Sequence, residues 1–332
     1  MKYRQLGKSD LVLSEVGFGV WTVSTGWWGE YNAAEATRLL LQGFERGITF
    51  YDTADTYGEG RGEEVVAQAF KGHRHDIVIA TKFGYDFYAN SERMGHQERP
   101  HNWKPEFVRY ACEQSMKRLG TDYIDLYQLH NPRMDAIESD SLFETLEQLR
   151  QAGKVRYYGV ALGPAIGWRD EGLNALTRRE PGALHIIHNL LEQDPGRDFI
   201  PVARERGAGI LVRVPHSSGL LEGQYTLETT FDANDHRSHR NREWLTQGLK
   251  KLELLRFLTD EHDRTIGQVA LKWLLMEPAI ASALPNIYNQ EQLAEFCAAP
   301  ETPELTAEEM GRIQELYTRN FYLESAPTPT TA

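Results

Sequence analysis

The 332-residue sequence predicts an α/β fold: a closed (β/α)8 barrel of the TIM type, with an N-terminal β-hairpin and extra C-terminal helices. Three observations lead there. Eight short apolar runs alternate with helical patterns, with no break in composition along the chain. The runs read as parallel strands buried on both faces, as strands covered by helices must be. Acidic, aromatic and basic residues also recur at or just past the C-terminal ends of successive runs, where such a barrel gathers its site. A doubly wound sheet is the competing arrangement of the same elements.

Tyr3–Leu6 and Asp10–Leu13, separated by Gly7-Lys8-Ser9, predict the hairpin. Strands are expected at Glu15–Val20, Thr49–Asp52, Ile77–Lys82, Ile124–His130, Val155–Val160, Leu184–Asn189, Gly209–Val214 and Ile280–Leu284. Helices are expected at Ala33–Arg46, Glu63–Lys71, Pro105–Leu119, Ser141–Gln151, Glu171–Arg178, Phe199–Glu205 and Thr265–Met276. Thr265-Ile-Gly-Gln268 and Thr306-Ala-Glu-Glu309 match the capping-box pattern. Gly47, Gly120 and Gly153 follow helical patterns where a left-handed cap fits. Two long polar loops, Gly84–Trp103 and Pro215–Arg242, are expected to carry function. Further helices are expected near Glu243–Asp260 and Ala307–Asn320. One barrel domain is expected over residues 1–320, with the Pro/Thr-rich stretch 321–332 as a disordered tail.

Acidic residues outnumber basic ones by 48 to 36, giving a net charge of −12. That balance argues against nucleic acid as a partner and gives no support for docking on anionic membranes. Met1-Lys-Tyr-Arg-Gln-Leu6 has no apolar signal region, and no apolar run approaches membrane-spanning length. Cys112 and Cys297 stand far apart without Cys-x-x-Cys spacing, and read as reduced thiols of a cytoplasmic protein. Gly17-Phe-Gly19-Val-Trp-Thr22 lacks the third glycine of a dinucleotide fingerprint. Oligomeric state is left open, a homo-oligomer included.

The chemistry sits at the strand ends. Asp52 closes the second run and Tyr57 follows in a glycine-rich turn, Asp52-Thr-Ala-Asp-Thr-Tyr57-Gly58. Lys82 closes the third run and His130 the fourth. Singly, each reads as a loop anchor or a solvated charge. Together, on successive elements, they suit proton transfer. A tyrosine with a pKa near 10 is a poor acid at neutral pH until a cation, itself held by a carboxylate, stabilises the phenolate.

On those motifs the chain resembles the aldo-keto reductase superfamily over roughly its first 320 residues. Asp52-Thr-Ala-Asp-Thr-Tyr57-Gly, Ala80-Thr-Lys82-Phe-Gly and Asp125-Leu-Tyr-Gln-Leu-His130 match that family's catalytic tetrad segments. Lys117-Arg-Leu-Gly-Thr-Asp-Tyr-Ile-Asp125-Leu echoes its run into the fourth strand. The resemblance implies carbonyl reduction of a small aldehyde or ketone with NADP or NAD as cofactor. Tyr57 would be the proton donor, Lys82 and Asp52 its support, and His130 would orient the carbonyl. It also places cofactor contacts at Trp21, His185, Arg213, His216, Gly219, Leu221, Tyr288 and Gln292.

The cofactor half departs from the family pattern. The Ser-Asn pair after strand five, which holds the nicotinamide carboxamide, is Ala161-Leu162 here. The strand-six Gln is His185, and the Tyr of the following Tyr-Asn pair is His188, before Asn189. Ser-Pro-Leu on strand seven reads Val214-Pro215-His216, and the Lys ending the next motif is Gln224. Pro-Gly-x-Arg, whose Arg meets the 2′-phosphate of NADPH, reads Pro285-Asn286-Ile287-Tyr288, and a later Asn is Phe296. Ala and Leu cannot hydrogen-bond an amide through their side chains. Tyr288 removes a cation from the 2′-phosphate position, which disfavours NADPH relative to NADH. Two other readings therefore stand beside the reductase. One is a redox-neutral lyase, dehydratase or isomerase that uses the tetrad without hydride transfer. The other is a non-catalytic binding or regulatory subunit, which an intact tetrad counts against.

His130, His185, His188, His216, His236 and His239 fall near the same mouth, a set that can ligate a metal. Hydrogen bonding within the loops is the plainer reading, because strand alternation sends His185 and His188 to opposite faces; no metal is expected. Asp235–Arg242, with its arginines, suits an anion such as a pyrophosphate or an acidic substrate, or a solvated loop.

Overall fold

The computed structural model describes residues 1–29, 31–89, 98–163, 168–233, 235–260 and 262–323. Most of the expected tail, residues 324–332, lies outside the described residues, as do the His239 side chain and the middle of the loop after the third barrel strand. β1 (Tyr3–Gln5) and β2 (Val12–Ser14) form the antiparallel hairpin, in register Tyr3 with Ser14. β2 starts two residues later than expected, because the Leu6 amide donates to the Leu11 carbonyl at 2.8 Å and widens the turn.

Eight parallel strands follow in chain order: β3 (Phe18–Gly19), β4 (Phe50–Asp52), β5 (Val78–Phe83), β6 (Ile124–His130), β7 (Val155–Ala161), β8 (Ala183–Ile187), β9 (Gly209–Arg213) and β10 (Ile280–Leu284). The ring closes through a parallel bridge between Val16 and Ala283. There the Gly17 amide donates to the Ala283 carbonyl, and the Ala283 amide to the Glu15 carbonyl, each at 2.9 Å. The strand expected at Glu15–Val20 is thus divided: its first half bonds β10 and its second half β4. A single helical turn, Trp21–Ser24, ends it.

The outer helices are α1 (Ala33–Glu45), α2 (Arg61–Ala69), α3 (Pro105–Leu119), α4 (Asp140–Gln151), α5 (Arg169–Asn174), α6 (Gly196–Arg206), α7 (Arg242–Leu254), α8 (Ile266–Leu275), α9 (Gln290–Ala298) and α10 (Ala307–Thr318). Thr265 and Thr306 make the two expected capping boxes, and Asn32 makes a third with Glu35. Each such cap is worth about 1 kcal/mol. The helix expected to run to Arg178 gives way after Asn174 to a wider π turn, Ala175–Arg179. Phe321, the first residue of the expected tail, is buried in a 3₁₀ turn, Asn320–Tyr322, against the C-terminal helices.

Apolar side chains form an outer layer between strands and helices and a smaller inner one. Phe50, Ala80, Leu126, Ala183, Leu211 and Leu284 join Leu6, Leu11 and Leu13 of the hairpin in that inner layer. The hairpin therefore plugs one end of the barrel, each buried leucine contributing about 1.5–3 kcal/mol. Gly209 permits the plug, since a Cβ there would lie 2.3 Å from Leu6 Cδ1. Cys112 and Cys297 are free thiols that burial pushes up to about 12 and about 11. Among the described residues no helix is long and apolar enough to cross a membrane.

Candidate active site

Register brings the strand-end residues to one level. Asp52 pairs with Ala80, Lys82 with Gln128, and His130 with Ala161, which in turn pairs with His185. With the plug at the other end of the barrel, these side chains meet at the C-terminal end of the strands, the mouth of the barrel.

Lys82 is fully buried, and all its donors are engaged. Its Nζ donates to Asp52 Oδ1 at 2.5 Å, to the Thr53 carbonyl at 2.7 Å and to Tyr57 Oη at 3.2 Å. Burial works to lower the Lys82 pKa, but the Asp52 and Tyr57 oxygens more than reverse this, leaving it above the ordinary lysine value. The ammonium is thus secure at neutral pH. Burial pushes the Asp52 carboxyl up, opposed by Lys82, by the Gln128 amide and by Arg213. Gln128 Nε2 donates to Asp52 Oδ2 at 2.9 Å. Gln128 carries little signal in the sequence: it stands two positions before His130 in a strand that also holds Asp125.

Tyr57 is half-buried, with its ring edge-on to His130 at 5.8 Å. Burial, reinforced by the Lys82 and Arg213 cations, holds His130 well below 6.5, so the ring is neutral at physiological pH. Residues 98–103 return alongside Gly84–Asp86 to brace it. His101 Nε2 sits 2.9 Å from the His130 carbonyl oxygen, and Tyr85 stacks on His101 and packs edge-on to His130. Tyr85 Oη donates to Glu98 at 2.5 Å and accepts from Asn131 at 2.8 Å. Gly84 is required here, because a Cβ would lie 2.3 Å from Trp103 Cη2.

The residues expected to hold a cofactor divide into two groups. Trp21, His185, Arg213, Tyr288 and Gln292 have side chains at the mouth or its flank. His185 is 1% exposed, lies 3.8 Å from Asp52 Oδ2, and has no hydrogen-bond partner at either ring nitrogen. Burial holds it neutral, well below 6.5. His216, Gly219 and Leu221 lie instead in the turn that follows β9. His216 bonds the Gly267 carbonyl through Nε2 at 3.0 Å and packs on Phe296, while Leu221 is a core residue. Both side chains are engaged in packing, which leaves the backbone of this turn for any ligand contact. His188 likewise packs on Trp273, on the face opposite His185, as alternation requires. Among the described residues no three His, Cys, Asp or Glu side chains form a metal-ligand group.

The turn after β9 is strained. Val214, Ser217 and Ser218 all have left-handed φ, at 55°, 48° and 56°. Non-glycine residues held this way cost about 1–3 kcal/mol each and cluster at functional sites. Next to it, Glu222 Oε2 accepts from Tyr288 Oη and Gln292 Nε2, both at 2.8 Å, while Oε1 is buried without a partner. The segment after this turn packs on the aromatic residues that follow β3. The His236 amide donates to the Trp27 carbonyl at 3.0 Å, the two rings stack at 5.3 Å, and Arg237 lies 4.1 Å over Trp28. Arg240 reaches Ser218 Oγ at 3.2 Å. The sequence offers Asp235–Arg242 as a polar or anion-binding loop, but its packing on Trp27 and Trp28 and the role of Glu222 carry no signal in spacing, since nothing there marks which loops face each other.

Residues 15–318 match the family described as the aldo/keto reductase family. An uncharacterized oxidoreductase, YqkF, of Bacillus subtilis (strain 168) is 32% identical over 97% of this chain and 98% of its own length. An NADH-specific methylglyoxal reductase of Escherichia coli (strain K12) is 29% identical over 90% of this chain and 93% of its own length. Among solved structures, the holo form of aldo-keto reductase AKR11C1 from Bacillus halodurans superposes with a TM-score of 0.77. It is 32% identical, over 95% of this chain and 96% of the other.

Proposed function

The chain belongs to the aldo/keto reductase family, and from that premise we propose that it reduces an aldehyde or ketone of a small molecule with a nicotinamide cofactor. The observation that carries this is Lys82 Nζ bonded at once to Asp52 and Tyr57, beside a neutral His130. The cofactor, when bound, supplies a hydride to the carbonyl carbon. Tyr57 Oη gives its proton to the carbonyl oxygen as the C=O π pair moves there. The Lys82 ammonium steadies the phenolate left behind, and Asp52 keeps Lys82 charged and in place. His130 orients the oxygen as a neutral ring. General acid catalysis of this kind is worth about 10²–10⁴-fold.

The mouth offers unsatisfied buried atoms that suit a dinucleotide: both His185 nitrogens, Arg213 Nε and Glu222 Oε1. His185 stands where the resemblance puts an amide clamp, and its ring can serve a carboxamide in place of the absent Ser, Asn and Gln. The resemblance puts Tyr288 at the position that meets the 2′-phosphate of NADPH, and Glu222 accepts from its hydroxyl at 2.8 Å. A carboxylate accepts from a ribose hydroxyl and repels a phosphate, so NADH is the preferred cofactor. The NADH-specific Escherichia coli relative supports that choice.

Titration of the protein with NADH and NADPH, read by quenching of its tryptophans, tests this. Saturable binding is expected, with NADH at least about tenfold tighter, the worth of one charge-level difference at the ribose. Absence of binding by either at millimolar concentration would remove the reductase reading and favour redox-neutral use of Tyr57.

A further inference from the structure

Tyr57 can give its proton only while its hydroxyl stays beside Lys82, yet the two belong to different elements. Tyr57 lies in the loop after β4, and the first turn of α2 holds its backbone. Its carbonyl accepts from the Gly62 amide at 3.0 Å, and its amide donates to the Ala54 carbonyl at 3.1 Å. Lys82 belongs to β5. Of the three contacts made by Lys82 Nζ, the one to Tyr57 Oη is the longest, at 3.2 Å against 2.5 and 2.7 Å. A small shift of α2 breaks that contact first.

Glu63 follows Gly62 in the same turn and is fully buried. Its Oε1 accepts from Thr81 Oγ1 at 2.6 Å, and Thr81 directly precedes Lys82 on β5. Its Oε2 accepts from Arg118 Nε at 2.6 Å, near the end of α3. Arg118 Nη2 in turn donates to Tyr88 Oη at 2.8 Å and to Ser115 Oγ at 3.4 Å. The contacts close a ring: Tyr57 to Gly62, Glu63 to Thr81, and Lys82 back to Tyr57. Asp55 is nearer to Tyr57 along the chain, but both its carboxyl oxygens are buried without a hydrogen-bond partner, so they tie nothing.

Stability alone does not explain a charge in this place. Apolar side chains of similar volume often hold a helix as well as a buried ion pair does, without its desolvation cost. What the carboxylate adds is direction, two acceptors that set α2 against β5 and α3 at fixed distances.

We propose that Glu63 is a positioning residue, holding the first turn of α2 so that Tyr57 Oη stays within reach of Lys82 Nζ. This rests on the reductase reading for its effect on rate, but not for its hold on the Tyr57 loop.

Thr81→Val tests it with least disturbance, since it removes one hydroxyl, keeps the shape and leaves the Arg118 bond to Glu63. Protein saturated with NADH is mixed with 4-nitrobenzaldehyde, an electrophilic aldehyde, and a single turnover is followed by loss of NADH absorbance. The rate is expected to fall at least about tenfold, because a misplacement of about 1 Å at a reacting group costs about 10²-fold. The Kd of NADH should stay within about twofold of the wild type, and Thr81→Ser, which restores the hydroxyl, should recover most of the rate. A merely structural role would lower the unfolding midpoint and leave the single-turnover rate unchanged, and that result would overturn the assignment. So would an equal loss of rate in Thr81→Val and Thr81→Ser, or a loss matched by weaker NADH binding. Hydrogen exchange read by mass spectrometry follows the tether without turnover. Amides of residues 53–64 should exchange about fivefold faster in Thr81→Val, as the loss of one hydrogen bond gives, while those of β7 and β8 stay unchanged. Unchanged exchange over residues 53–64 would equally overturn it. Absence of turnover by the wild type would sink the reductase reading, while exchange still decides Glu63. Should Thr81→Val fail to fold by circular dichroism, Glu63→Gln, which keeps one acceptor oxygen, is read in the same way.

Discussion

Replacing Glu222 with Gln separates the cost of a buried charge from the value of its hydrogen bonds. Burial pushes the Glu222 carboxyl up to about 7 from 4.5, with the Tyr288 hydroxyl, Arg237 and the Gln292 amide pulling the other way. A folded-state pKa above the unfolded value means that the native chain binds this proton more tightly. No penalty exists below the unfolded value near 4.5. Stability is then lost as the pH climbs from there to about 7, and the loss is complete above it. At about 1.36 kcal/mol per pH unit, that interval amounts to about 3 kcal/mol. In the variant, the side-chain amide oxygen still accepts from both Tyr288 and Gln292. Glu222→Gln should therefore match the wild type near pH 4.5 and exceed it by up to about 3 kcal/mol at pH 8. Urea unfolding followed by tryptophan fluorescence, at intervals from about pH 4.5 to 8.5, reads the difference directly. A gap between the two proteins that stays constant with pH, or that favours the wild type as pH rises, would refute the reasoning. The same titration should strengthen the preference for NADH over NADPH as the pH passes 7.

Three further outcomes follow from the site. Tyr57→Phe should lower turnover by about 10²–10⁴-fold without weakening NADH binding, and near-normal steady-state rates would show that another group supplies the proton. Asp52→Ala leaves the buried Lys82 ammonium without its carboxylate and should cost about 3–5 kcal/mol in urea unfolding; a loss below about 1 kcal/mol would mean that the pair is not held as described. Gly84→Ala forces a methyl against Trp103, so the Tyr85–His101 brace should shift. Turnover should then fall more than stability, and an unchanged KM and kcat would argue that the brace does not position His130.

The barrel and the four strand-end residues are legible in the sequence for a shared reason. Each of Asp52, Lys82 and His130 closes an apolar run, and the chain direction alone then assigns them to one end. Gln128 was not legible, because a glutamine within a buried strand gains meaning only when register aims it at Asp52. Glu222 was hidden by distance: it meets Tyr288 across 66 residues, a pairing set by the closed ring and not by any local pattern. His216 and Leu221 show a different limit: the sequence does not tell that their side chains turn into the packing beside the left-handed turn at Val214 and Ser217. Spacing along a chain places a loop at the mouth; backbone conformation decides which atoms of the loop face it.

The seam between Val16 and Ala283 also has a consequence for biosynthesis. The ring joins nearly the first barrel residues to the last, so it cannot close until residue 284 has left the ribosome. At about 5–20 residues per second, the β3 edge waits on the order of 15–60 s for its partner. The hairpin leucines wait as long, since part of their floor comes from β9 and β10. Until then an unpaired strand edge and an apolar plug are open to water, which is the condition that recruits other strands and chaperones. Truncation anywhere before residue 284 therefore removes the closure of the whole ring, and not merely its last strand and helix.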